Sequence, residues 1–297
     1  MKNIKFTGIL PALVTPFKDD NKTINEKVTR DLIDKLISQN ADGFYILGGT
    51  GEGLVLDRET REHMWEVSVK HINGRKPAIC HVASMNLDET IALAKHAERT
   101  GADAIASVPP IFFYYDANDI YNYYKKLADS VNIPLIIYYH PAAQGDMSAE
   151  LISRIYQIDN VTGVKWSSPN FYQMMLLKDM THGEMNIING PDELLISGLA
   201  AGADAGVGTT YNILLPEFKQ IYNDFKSGNL ERALETQLMC DKIIEVCLKH
   251  EGIPAVKYAL TLMGYNVGDA SYPMRSYSEE EKLVLEKELK ACGWSIK

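Results

Sequence analysis

The chain has 297 residues, 46% hydrophobic and 23% charged, an ordinary globular composition with enough apolar sequence to bury a large core. Its formal net charge is −9, and its lysines and arginines are scattered with no basic stripe, which argues against nucleic acid as a partner. The opening MKNIKFTGILPALVTPF is too short an apolar run, and is broken by Pro11 and Pro16, so no signal peptide or membrane anchor is expected and a cytoplasmic location follows by default.

Short β-rich runs alternate with longer helical patterns. In chain order the predicted strands are residues 7–14, 43–48, 77–83, 104–110, 134–140, 161–168, 185–190 and 205–212. They are near-continuous apolar runs, as parallel strands covered on both faces should be. Residues 23–39 place Ile24, Val28, Leu32, Leu36 and Ile37 on one helix face. Residues 148–157 begin at Ser148, an N-cap type, with Leu151, Ile152 and Ile155 on one side. Residues 215–228 form a helix that ends on Gly228.

Eight strand–helix units of this kind fit an α/β fold, the (β/α)8 TIM barrel. The competing open doubly wound sheet lacks its GxGxxG after the first strand. After residue 228 the strands stop, and residues 230–250, 253–264 and 278–292 read as three helices. The expected division is a barrel over 1–228 and a C-terminal helical segment over 229–297, packed on the barrel with no flexible linker between them. The four cysteines show no CxxC spacing, and Cys240 and Cys247 lie one heptad apart, so core thiols are expected and no metal site.

In such a barrel the chemistry sits at the C-terminal ends of the strands. Strand 6 ends in VKWSS, and successive strand residues face opposite sides, so either Lys165 or Trp166 points into the barrel. An inward amine is partly desolvated, which favours its neutral form and lets it attack a carbonyl to give a Schiff base; an outward one simply snorkels to solvent. Strand 5 ends in IIYYHP, where Tyr138 or Tyr139 can line the interior beside strand 6 and pass protons, or both can be core aromatics. His140 follows them as a loop histidine. Strand 2 ends in LGGTGEG, where small residues and Thr50 suit an anion such as a carboxylate; without a GK[ST] ending it is not a phosphate loop. Strand 7 leads into NGPDELL, whose Asp192 and Glu193 serve either a helix dipole or a polyhydroxyl ligand. Strand 8 brings Thr209 and Thr210 to the same mouth.

The ordered set GGTGE, YYHP, GVKWSS, NGPDE and GTTYN resembles the N-acetylneuraminate lyase and dihydrodipicolinate synthase family of class I aldolases, over essentially the whole chain. The resemblance implies Lys165 as the Schiff-base lysine for pyruvate and Tyr138 as the proton carrier. It implies Gly49 and Thr50 at the pyruvate carboxylate, and Ser167, Gly190, Asp192, Glu193 and Thr209 around a sugar-derived tail such as that of a sialic acid. It also implies no cofactor or metal, and a homotetramer. Three positions depart from the pattern. Gly49 stands where many relatives have serine or threonine. Phe112 stands where many bacterial relatives have a tyrosine that reaches across a subunit interface. The segment PAAQGD (141–146) lacks the arginine that the synthase branch uses to hold a second carboxylate.

Overall fold

The structure, a computed structural model, describes residues 5–144 and 147–295. The first four residues of the opening segment and Gly145–Asp146 of the PAAQGD segment lie outside the described residues. The chain runs β1 (Gly8–Leu13), α1 (Glu26–Ser38), β2 (Phe44–Ile46), α2 (Arg58–Ile72), β3 (Ala78–His81), α3 (Leu87–Thr100), β4 (Ala104–Ser107) and α4 (Ala117–Ala128). It continues with β5 (Leu135–Tyr139), α5 (Pro141–Gln144), α6 (Ala149–Tyr156), β6 (Val161–Trp166), α7 (Phe171–Met180), β7 (Asn186–Asn189), α8 (Leu195–Ala200) and β8 (Ala205–Gly208). Four helices close the chain: α9 (Tyr211–Lys226), α10 (Leu230–Lys249), α11 (Ile253–Leu262) and α12 (Glu279–Ala291).

The strands pair in sequence order, and β8 returns to β1 with Gly8 opposite Ala205, so the sheet is a closed parallel barrel. Alternation sorts each strand into two faces. The inward set, including Leu10, Ala12, Tyr45, Ile79, Ala104, Ala106, Ile136, Tyr138, Ile188, Ala205 and Val207, forms one cluster inside the barrel. The outward set meets the helices in the larger cluster, where Trp166 is fully buried and its ring lies 4.6 Å from that of Tyr139. Small residues at Ala104, Ala106 and Ala205 balance the bulk of Tyr45 and Tyr138 inside the barrel.

The expected helix starts are visible in their caps. Ser148 accepts from the Leu151 backbone N–H, and α1 is capped by Asn25. Several strands end short of expectation, β3 at His81 and β4 at Ser107 among them, and two such ends shape the site. β2 stops at Ile46 because Leu47 turns into the left-handed region at φ 58°. β8 stops at Gly208, and α9 begins at Tyr211, four residues before the expected start at residue 215. Pro216 lies inside α9, just after a kink at Leu214 (φ −133°, ψ 26°), so a first turn precedes the helix that the sequence pattern marks. α10 packs along α9, and α11 and α12 pack on α10. Cys80, Cys240 and Cys247 are buried thiols outside any disulfide, and Cys292 is half-buried. Among the described residues no helix is long and apolar enough to cross a membrane.

Candidate active site

The site grows from one rung of the barrel. β5 and β6 pair so that Tyr138 stands opposite Lys165, and Tyr139 opposite Trp166. The alternation that sends Trp166 outward therefore sends both Lys165 and Tyr138 inward. Lys165 is 6% exposed, and its Nζ lies 4.0 Å from the Tyr138 ring centre and 4.5 Å from that of Tyr45. The two rings meet edge to face, 6.0 Å apart at 83°. The amine is thus held beside two aromatic rings, which attract it when it is charged. Gly48 allows this packing: a Cβ there would lie 2.5 Å from the Tyr45 ring.

Deeper in the barrel, His81 is fully buried and edge-on to Tyr138, ring centres 5.6 Å apart, with Nδ1 3.1 Å from the Leu47 carbonyl. Burial first, then the charges of Arg61 and Lys165, push its pKa down to about 3, so the imidazole is neutral near pH 7. His140 at the rim, half-buried, is also pushed down by burial and by Lys165, and its Nδ1 accepts from the Ala142 N–H at 3.2 Å.

A cavity of about 440 Å³ opens above the amine. Its walls carry Lys165, Tyr138, Gly49, Thr50, Ser167, Gly190, Glu193 and Thr209, all of the predicted site residues except Asp192. Thr50 and Thr209 join the loops after β2 and β8 through a hydroxyl–hydroxyl hydrogen bond of 2.7 Å. Ser167 packs so closely on Gly190 that a Cβ at 190 would lie 2.1 Å from its hydroxyl. At Gly49 the reverse holds: the residue is exposed and a Cβ there would meet nothing within 4 Å.

The two acids of NGPDELL separate. Glu193 is exposed and lines the cavity, whereas Asp192 is buried behind it. Asp192 Oδ2 accepts from the Thr210 backbone N–H at 2.7 Å and from its hydroxyl at 2.5 Å, so Thr210 faces Asp192 and not the mouth. Burial raises the Asp192 pKa to about 6 despite those two donors. Its other oxygen lies against Gly208 of the cavity wall, where a Cβ would come within 2.2 Å of it.

Phe112 lies on the loop after β4 with φ 79° and is 83% exposed. Sequence reasoning missed several wall residues, including Ala12, Val207 and Ile253. Ile253 comes from α11, and no local signal ties a residue of the C-terminal helices to the barrel mouth. Tyr45 beneath the amine was legible only as one inward position of β2.

Comparison with known proteins agrees along the whole chain. The model of the dihydrodipicolinate synthetase family matches residues 5–292. N-acetylneuraminate lyase of Clostridium perfringens is 32% identical over 275 residues, covering 92% of this chain and 95% of the relative. N-acetylneuraminate lyase 2 of Escherichia coli is 32% identical over 286 residues, covering 95% and 93%. A Clostridium difficile crystal structure in complex with mannosamine superposes with a TM-score of 0.93 at 28% identity, covering 97% of this chain and 99% of that one.

Proposed function

The chain belongs to the dihydrodipicolinate synthetase family, and on that premise we propose that this aldolase cleaves N-acetylneuraminate to N-acetylmannosamine and pyruvate. The observation that carries the reading is the Lys165–Tyr138 rung: a buried amine 4.0 Å from a phenol ring, both open to one cavity.

In this reading the Lys165 amine adds to the C2 ketone of the open-chain substrate, and loss of water leaves a protonated imine. The imine takes up the electron pair of the C3–C4 bond as that bond breaks, giving an enamine. The Tyr138 hydroxyl gives its proton to the water leaving the carbinolamine, so its oxygen can then take the proton of the C4 hydroxyl, and C4 becomes the aldehyde of N-acetylmannosamine. Protonation of the enamine at C3 and addition of water release pyruvate and restore the amine. The substrate carboxylate rests on Gly49 and Thr50. The hydroxylated tail lies along Ser167, Gly190 and Thr209, with the exposed Glu193 carboxylate accepting hydrogen bonds from its hydroxyls. Asp192 supports this wall from behind through Thr210 and Gly208.

The N-acetylneuraminate lyase names of relatives at 32% identity support the choice of substrate. The absence of an arginine from residues 141–146 favours it over a synthase-like activity. The exposed run Phe112, Phe113 and Tyr114 supports assembly into the expected homotetramer.

The test has two arms. Borohydride reduction with pyruvate should add one reduced pyruvate at Lys165, mapped by mass, and Lys165→Ala should show no mass gain. Turnover should then be faster on N-acetylneuraminate than on 2-keto-3-deoxygluconate. An adduct retained in Lys165→Ala would overturn the assignment of the lysine, and the reverse substrate order would overturn the choice of sugar.

A further inference from the structure

The loop that carries Gly49 and Thr50 is strained, and its anchor lies outside the cavity. Leu47 and Glu52 bracket it, both in the left-handed region at φ 58° and 61°. Non-glycine residues in that region are strained and persist only where the surroundings hold them. The Glu52 side chain is fully buried and forms an ion pair of 2.9 Å with Lys257 of α11, which is 1% exposed. Lys257 also donates to the Thr15 carbonyl at 3.0 Å and the Asp269 carbonyl at 2.7 Å. The other Glu52 oxygen accepts from the Ser271 N–H at 2.5 Å, and the Thr15 hydroxyl donates to the Gly51 carbonyl at 2.7 Å.

Two features separate this pair from ordinary packing. Burying both charges costs several kcal/mol per ion, and a well-packed apolar pair fills the same volume at no such cost. An apolar pair, however, cannot tie together the end of β1, the loop after β2, α11 and residues 269–271 through directional bonds. In addition, Ile253 lies one helical turn before Lys257 on α11 and forms part of the cavity wall. One short helix therefore supplies both a wall of the cavity and the post that holds its loop. Burial lowers the Lys257 pKa while the Glu52 charge opposes that fall.

We propose that Glu52 and Lys257 are positioning residues: their buried pair fixes the Gly49–Thr50 turn on which the substrate carboxylate rests. The inference deepens the reading of the site given above and rests on it. Its signature is selective. Loosening the loop weakens ligands that carry a carboxylate and leaves imine formation with an uncharged ketone as it was.

Borohydride trapping at Lys165 with pyruvate and with hydroxyacetone reads this difference. The variants are Glu52→Gln, which keeps the shape, and Glu52→Gln/Lys257→Met, which leaves no unpaired buried charge. Either folded variant should show apparent pyruvate affinity lower by about tenfold, the loss expected for one misplaced charge-assisted hydrogen bond. Hydroxyacetone trapping should stay within about twofold of wild type by the same reasoning. Unchanged pyruvate affinity, or an equal loss for both ketones, would overturn the proposal. So would failure of both variants to fold, which assigns the pair to folding alone. If wild type traps no pyruvate, the reading of the site falls and takes this inference with it; normal wild-type trapping beside unaffected variants sinks the inference alone.

Discussion

Replacing Gly49 by serine should tighten the grip on pyruvate. Gly49 is exposed on the loop after β2, and a Cβ built there meets no atom within 4 Å, so the side chain enters without displacing anything. The one hydroxyl beside it, that of Thr50, already shares a hydrogen bond with Thr209 at 2.7 Å. A new hydroxyl facing the substrate carboxylate adds a hydrogen bond to a charged group, about 1.5–3 kcal/mol. Ordering a small exposed side chain and displacing water offset part of that, leaving roughly 1.4 kcal/mol, or about a tenfold gain in affinity. The assay is the pyruvate concentration that half-saturates borohydride trapping at Lys165, run beside the KM for pyruvate in the condensation direction. Both should fall about tenfold, by the same estimate, with little change in kcat. A folded Gly49→Ser protein with unchanged half-saturation would refute the placement of the carboxylate at this loop.

Tyr138→Phe keeps the ring against Lys165 and removes the proposed proton carrier. Its kcat for cleavage should fall by about a hundredfold or more while pyruvate is still trapped at Lys165; unchanged kcat would move the proton transfer to another group. Asp192 gives a pH signature in stability. Its pKa is raised from 3.8 to about 6 by burial, so the folded state favours the protonated form. The contribution is therefore full below about pH 4 and lost as pH rises through about 6. At about 1.4 kcal/mol per pH unit, wild type should lose roughly 3 kcal/mol relative to Asp192→Asn across that window. Urea unfolding of both proteins at a series of pH values checks this, and a stability difference that stays flat between pH 4 and 7 would contradict the burial of the carboxyl.

The fold was legible because each strand is a continuous apolar run and each helix a one-sided one. Those periods survive in the barrel with its interior and exterior clusters. Alternation alone could not decide which of Lys165 and Trp166 faced inward. The indole needs the larger volume between sheet and helices, where it meets Tyr139, and that is a tertiary fact. The acids of NGPDELL were visible as a pair, but their separation into an exposed Glu193 and a buried Asp192 follows from the single turn at Asp192–Leu194 and from Thr210. The Glu52–Lys257 bond joins positions 205 residues apart in sequence. No periodicity connects them. The premature end of β8 was hidden because Thr209, Thr210 and Tyr211 have strand-forming side chains, whereas the bonds from Thr210 to Asp192 that help turn the chain there form only in the folded protein.

Tyr138 and Lys165 face each other across a ladder of main-chain hydrogen bonds, whereas Thr209 and Gly49 stand on loops and Glu193 on the single turn at Asp192–Leu194. In the proposed reading, bond-making and ligand choice thus occupy mechanically separate parts of the molecule. Loop substitutions can redirect which aldehyde is released without retuning the amine, so variation among descendants of such a barrel should accumulate at the rim and spare the rung.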